Sequence, residues 1–253
     1  PRQFGDFLTP NNYKGANKMN ILVKGASRGI GKTIAKSLQS YGNVYVTARN
    51  EEKLKEFGNE MYFVCDLSKE EDLLKLGDFI QEKKIDILVN NAGEYTYCGI
   101  EDTEISKLNE MLSINLKAPI YLMHSAIPHM KKNKFGRVIN IGSISGVMGE
   151  AYASIYSATK AGLIGLSKAT GLELAEFGIT VNTINPGWVD TELGKSSIED
   201  SEFSEEEILE SIPQRRFVKP EEIAGLVKYL ISEEAKGITG QSINICAGLS
   251  VGI

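Results

Sequence analysis

The sequence predicts an α/β protein: one doubly wound domain with a seven-stranded parallel sheet and helices on both faces. Three observations predict it. Short apolar runs alternate with longer segments of helical period from residue 20 to the end. The runs carry few polar positions, as strands buried on both faces do. A glycine-rich turn follows the first run and opens a helix, the arrangement of a βα unit. At 253 residues, 42% of them hydrophobic, the chain suits one large domain with a substantial core.

The elements follow in order. An apolar run at 20–23 reaches Gly25, and a helix is expected over 30–40. A second strand is read at 44–47 and a third at 61–65, followed by a helix over 70–82. The run 85–89, interrupted only by Asp86, gives the fourth strand. A long helix is expected over 105–131, with Pro119 and Pro128 predicting a kink or a break. A strand at 137–141 leads to a helix over 155–176, then a strand at 179–184. Helices over 205–211 and 220–232 and a last strand at 242–246 close the pattern. The polar, acidic stretch 193–207 interrupts it. It is read as a mobile flap, with Trp188 and Leu193 as an apolar lip; a plain surface insertion is the alternative. Residues 1–18 are rich in Asn, Gly, Pro and charge and are read as a flexible leader or tag, so that the domain spans 19–253.

Composition narrows the function. The net charge of −5 favours neither nucleic acid nor an anionic membrane as partner. No apolar run is long enough to cross a bilayer. Cys65, Cys98 and Cys246 lack metal-clip or redox spacing and are expected to be free thiols in a reducing cytoplasm. No cluster of metal ligands is seen, and His124 and His129 are assigned to packing or surface.

Three motifs carry chemistry. Gly25-Ala26-Ser27-Arg28-Gly29-Ile30-Gly31 follows the first strand directly. Glycines let the backbone turn sharply, and the helix that starts there aims free N–H groups at a phosphate. Asn90-Asn91-Ala92-Gly93 ends the fourth strand, where ligands of open parallel sheets bind. It could leave room for a cofactor's ribose or merely mark a turn. Tyr156 and Lys160 stand four apart on a helix, hence on one face, with Ser143 at the end of the preceding strand. An ammonium beside a phenol favours the phenolate, so the tyrosine is expected to have a lowered pKa and to act as a proton donor. The second strand ends Thr47-Ala48-Arg49 with no acid to bond ribose hydroxyls, while Arg28 and Arg49 could flank a 2′-phosphate. That pair predicts NADPH over NADH.

In order and spacing these motifs, with the later Asn185-Pro186-Gly187, resemble the short-chain dehydrogenase/reductase family, a Rossmann-type fold, over nearly all of 20–248. Arg216-Phe217, the run 220–224 and Thr239-Gly240-Gln241 are most similar to the bacterial 3-oxoacyl-acyl-carrier-protein reductases. The resemblance implies a catalytic set of Ser143, Tyr156, Lys160 and Asn115. It implies phosphate contacts from Gly25, Ser27, Arg28, Gly29, Ile30 and Gly31, and adenine contacts from Asp66 and Leu67. Asn90, Ala92 and Gly93 would line the nicotinamide ribose, with Tyr156 and Lys160 close by. Pro186, Gly187, Val189 and Thr191 would clasp the carboxamide and pyrophosphate. The implied reaction is NADPH-dependent reduction of a carbonyl to a secondary alcohol, as in a cytoplasmic 3-oxoacyl-carrier-protein reductase of fatty acid synthesis. The alternatives are a reductase of a small ketone, sugar or steroid alcohol and, more remotely, a non-catalytic dinucleotide-binding regulator. A homotetramer is implied, with a dimer as alternative; the helices over 105–131 and 155–176 would pack on symmetry mates, and apolar residues on them such as Leu163, Ile164 and Leu166 are compatible with that but could equally face the sheet.

Four departures from that family stand out. Lys24 replaces the usual threonine that braces the Asn-Asn-Ala-Gly strand, and an altered brace is expected. Cys246-Ala247-Gly248 replaces Asp-Gly-Gly. Lys134 keeps charge where the acidic carrier protein would dock, whereas Phe177 does not. The loop Glu94-Tyr95-Thr96-Tyr97 also lacks the reductase pattern.

Overall fold

The computed structural model describes residues 18–199 and 203–251. Seven parallel strands lie in the order β3-β2-β1-β4-β5-β6-β7. They are β1 Met19–Lys24, β2 Gly42–Ala48, β3 Tyr62–Val64, β4 Ile87–Asn90, β5 Gly136–Ile141, β6 Ile179–Pro186 and β7 Ser242–Ile245. The chain winds outward from β1 to β3, then crosses back so that β4 pairs with the other edge of β1. This reversal opens a crevice beyond the carboxyl ends of β1 and β4.

Alternation along β1 shows why the sheet is covered twice. Ile21 and Val23 point into one apolar cluster and Leu22 into the other. On the first face pack α1, Gly29–Leu38, and α9, Pro220–Ile231. Ile34 and Leu38 lie four apart on α1, and Ile223, Val227, Leu230 and Ile231 line one stripe of α9. Each such fully buried aliphatic side chain is worth about 1.5–3 kcal/mol of burial. The second face holds α2, Glu70–Lys83, and α4, Ala118–Asn133, through Leu73, Leu76, Leu122 and Met130.

The predicted long helix is three segments. α3, Ile105–Leu112, leads into a π-helical turn at Ser113–Lys117, and α4 continues from it. Pro128 sits inside α4 without ending it. The distortion lies just before Pro119, which has no N–H to give the carbonyl one turn earlier, that of Asn115. Two more helices were missed: α5, Ser145–Met148, and α7, Glu192–Glu199. α7 occupies the stretch read as a flap. Its Gly194 N–H donates to the Thr191 hydroxyl and its Ser197 hydroxyl donates to the Leu193 carbonyl, which satisfies polar groups locally. α8, Glu205–Ser211, carries the predicted helix with a Ser204–Glu207 capping box. Residues 200–202, between them, and the expected leader, apart from Lys18, lie outside the described residues. Among those described, no helix is long and apolar enough to cross a membrane, no His, Cys, Asp and Glu cluster suits a metal ion, and the three cysteines are free.

Candidate active site

A cleft of ≈ 920 Å³ runs along the carboxyl ends of the strands. Its first wall is the turn between β1 and α1. Gly25 has φ +78, and a Cβ there would meet Ala92 at 2.7 Å, so both the conformation and the close approach call for glycine. A Cβ on Gly31 would strike the Gly25 carbonyl at 2.1 Å. α1 then starts with no side-chain cap and no acid in its first turn among the described residues. Its first N–H groups therefore lack partners of their own, and Gly25, Ser27, Arg28, Gly29 and Ile30 form that wall. A pyrophosphate fits this end, since orphan donors and the positive end of a helix dipole both favour an anion.

The wall continues through Arg49, Asp66 and Leu67. Arg28 and Arg49 are exposed and pair loosely with Glu192 and Glu94, at 3.5 and 3.9 Å. Burial opposes the charge of Asp66, but the hydroxyl and N–H of Ser68, with Lys69 and Arg49 nearby, hold its carboxyl below the ordinary value. Ala92, Gly93, Pro186, Gly187, Val189 and Thr191 complete the dinucleotide-sized groove.

Three predicted residues stand behind the wall. Gly31 seats α1 on the turn. Asn90 is buried, and its amide donates to Asn140 at 2.9 Å within the sheet. Asn91 takes the place expected of Asn90: it lines the cleft, and its amide donates to the Gly25 carbonyl at 3.0 Å. Asn115 is buried in the π-helical turn, where its side chain grips the backbone of Glu94 twice. It accepts from the N–H at 2.7 Å and donates to the carbonyl at 2.8 Å, and it also donates to Thr159 at 3.2 Å. It thereby joins the loop after β4 to α6, Ser154–Leu174.

Ser143, Tyr156 and Lys160 meet at the inner end of the cleft. Ser143 lies two residues past β5, and Tyr156 and Lys160 stand one turn apart on α6, Ser154–Leu174. The Lys160 ammonium donates to the Ile141 carbonyl at 2.9 Å and lies 5.5 Å from the centre of the Tyr156 ring. The expected lowering of the tyrosine pKa is not what this geometry gives. Burial pushes the phenol up to about 12, the Ser143 hydroxyl opposes this, and the charge of Glu150 adds to it. Burial instead lowers Lys160 to about 8. Desolvation outweighs attraction because the lysine's proton is spent on a carbonyl rather than on the phenol.

Lys24 supplies an altered brace. It is fully buried, and its amine donates to the Ile114 carbonyl at 2.8 Å, while its own carbonyl accepts the Ala92 N–H at 3.1 Å. It thus ties the glycine turn, the loop after β4 and the π-helical turn together. Burial lowers its pKa well below the ordinary value, and the nearby Lys160 charge acts in the same direction.

Sequence reasoning missed Glu150 and the role of Tyr95. Both line the cleft, and the Tyr95 hydroxyl donates to Glu150 at 2.7 Å while its ring stacks edge-on against Tyr156 at 5.0 Å. No local pattern marks either residue, since they meet across 55 positions of chain.

A doubly wound parallel sheet with an anion-ready helix start and a serine, tyrosine and lysine at one cleft defines a dinucleotide-dependent oxidoreductase. The chain belongs to the short-chain dehydrogenase/reductase family. A family model described as enoyl-(acyl carrier protein) reductase matches residues 25–250. The 3-oxoacyl-[acyl-carrier-protein] reductase FabG of Rickettsia felis is 38% identical over 90% of this chain and 95% of its own. The uncharacterized oxidoreductase YxjF of Bacillus subtilis is 37% identical over 91% and 98%. Among solved structures, an actinorhodin polyketide ketoreductase with NADPH superposes with a TM-score of 0.87 at 33% identity, covering 92% of this chain and 98% of that one.

Proposed function

We propose that this protein reduces a carbonyl to a secondary alcohol with NADPH, and that its substrate is a 3-oxoacyl thioester of fatty acid synthesis, carried by acyl carrier protein in the cytoplasm. The observation that carries the reaction is the convergence of Ser143, Tyr156 and Lys160 on the cleft whose other end is the uncapped start of α1. A bound nicotinamide would supply hydride. Ser143 and Tyr156 hold the carbonyl oxygen between them. Tyr156, with its phenol pushed up to about 12, is protonated at neutral pH and has a proton to give as charge develops on that oxygen. Lys160, near 8, is poised to relay a proton toward the phenol. Asn115 holds the Glu94 backbone and so fixes the loop beside them. Arg28 and Arg49, with no acid at the end of β2, suit a 2′-phosphate.

The carrier protein finds support on the surface too. The Lys131 ammonium sits 4.6 Å above the Phe177 ring, and Lys134 closes the same helix, so this face keeps positive charge where Phe177 lacks it. The second reading, a small ketone free of any carrier, is favoured by Glu150 on the substrate wall, because a carboxylate there suits polar hydroxylated substrates better than acyl chains.

The test follows cofactor oxidation with 3-oxoacyl groups on carrier protein, on a small thiol and as free ketones, with NADPH and with NADH. The carrier-bound substrate and NADPH are expected to be used best. Tyr156→Phe should lower turnover on the order of a hundredfold or more while NADPH still binds. Near-normal turnover in that variant would refute the mechanism. A clear preference for free ketones would select the second reading.

A further inference from the structure

Glu150 sits just beyond α5, after a glycine turn, and its backbone N–H donates to the Ser157 hydroxyl at 3.2 Å, beside Tyr156. Both oxygens of its carboxylate are in use. One accepts from Tyr95 at 2.7 Å, and the other accepts from Ser145 at 2.5 Å. The buried Ser145 hydroxyl is in turn 2.9 Å from the hydroxyl of Ser143.

Proton counting fixes the direction of this chain. A serine hydroxyl has one proton. A carboxylate has none to give, so the proton between Ser145 and Glu150 is that of Ser145. Ser145 then has nothing left for Ser143, and the 2.9 Å contact must be a bond that Ser143 donates. Ser143 also accepts the Ser145 N–H at 3.1 Å. What Ser143 still offers to the cleft, where the hydroxyl of Tyr156 is its remaining hydrogen-bond neighbour, is a lone pair. It can accept from an alcohol, but it can donate to a ketone oxygen only by breaking its bond to Ser145.

We propose that Glu150 is a positioning residue that, through Ser145, turns the proton of Ser143 away from the cleft and so favours the bound alcohol over the bound ketone. The proposal rests on the carbonyl-reductase reading above. Reduction must reverse the serine relay each time a ketone is held. Oxidation finds Ser143 already set as an acceptor for the substrate hydroxyl.

The experiment measures KM for one ketone with NADPH and for its alcohol with NADP+, in the wild type, Glu150→Ala, Ser145→Ala and the double variant. Because the ratio of the two kcat/KM values is set by the overall equilibrium, the effect is read in the individual KM values. Each single variant should lower KM for the ketone and raise it for the alcohol, each by roughly threefold to tenfold, about the worth of one hydrogen bond. The double variant should resemble either single one, since both residues act on the same proton. NADPH binding to each variant checks the fold, and Ser145→Ala is an independent route should Glu150→Ala misfold. A KM that rises for both substrates marks a merely structural role and overturns the proposal, as do unchanged KM values or effects that add. A wild-type protein that reduces no carbonyl overturns the underlying reading and this inference with it. A wild type that turns over while the variants leave the two KM values unsplit overturns the inference alone.

Discussion

At the scale of single residues, two buried lysines dominate the electrostatics of the site. Lys160 is held near 8 against an ordinary 10.5, and burial is the cause. Between those values the unfolded chain carries a proton that the folded chain has shed, so stability rises with pH through the window. Lys24 acts with the same sign. Cys65 and Tyr156 act against it from about pH 9 upward, because burial raises both to about 12 and the unfolded chain loses those protons first. The part due to Lys160 is isolated by difference. The urea midpoint of the wild type minus that of Lys160→Met, followed from pH 7 upward, should rise as pH climbs from 8 toward 10.5, whatever its sign at pH 7. Parallel curves would show that Lys160 is not held below its ordinary value. Lys24 was legible in the sequence as a departure from the family, and so was the prospect of an altered brace. Its partner was not, because the Ile114 carbonyl is 90 positions away and is exposed to it only by the π-helical turn.

At the scale of elements, the strands and most helices were legible because fully apolar runs and helical periods are local signals. The elements that escaped are held by particular contacts instead. α7 has a polar sequence, and Thr191 at its head was read as a cofactor contact rather than as a cap. The π-helical turn follows from one missing N–H and from the grip of Asn115 on Glu94, neither of which a periodicity records. After β7, Ala247 stands at φ +53, a left-handed conformation that costs a residue with a Cβ about 1–2 kcal/mol. The departure from the family's glycine at this position is therefore strained. Ala247→Gly should stabilise the protein by about 1 kcal/mol, less whatever the freer unfolded glycine takes back. Thermal denaturation measures it, and a lowered midpoint would mean that the methyl group packs usefully.

At the scale of the whole molecule, the sheet and its cleft followed from the order of elements, whereas assembly did not. Of the residues that could serve a symmetry mate or equally face the sheet, Leu163 is buried in its own subunit and Leu166 is packed against the core beneath the sheet. What α3, α4 and α6 leave outward are Ile105, Leu112, Ile120 and Leu172, the last 82% exposed. Large apolar residues so presented suit a partner surface, and a homotetramer built on these helices remains our proposal. Light scattering at micromolar concentration should give four subunits, and Leu172→Asp should shift the population toward smaller species. A monomeric wild type would refute both tetramer and dimer.

The crossing from β3 back to β4 also bears on how the chain reaches its native state. The two halves of the cleft come from either side of β1, and the residues that line it extend from Gly25 to Leu249. A chain in which β4 to β7 have not yet joined β1 therefore holds only the phosphate end of the cleft and none of the wall that carries Ser143, Tyr156 and Lys160. Pairings this distant in sequence form late, after the costly closure of long loops. A ligand that recognises only the finished sheet cannot guide the search for it. A bound cofactor would act afterwards, by slowing the return to the unfolded ensemble, and would lengthen the life of the folded state rather than speed its formation.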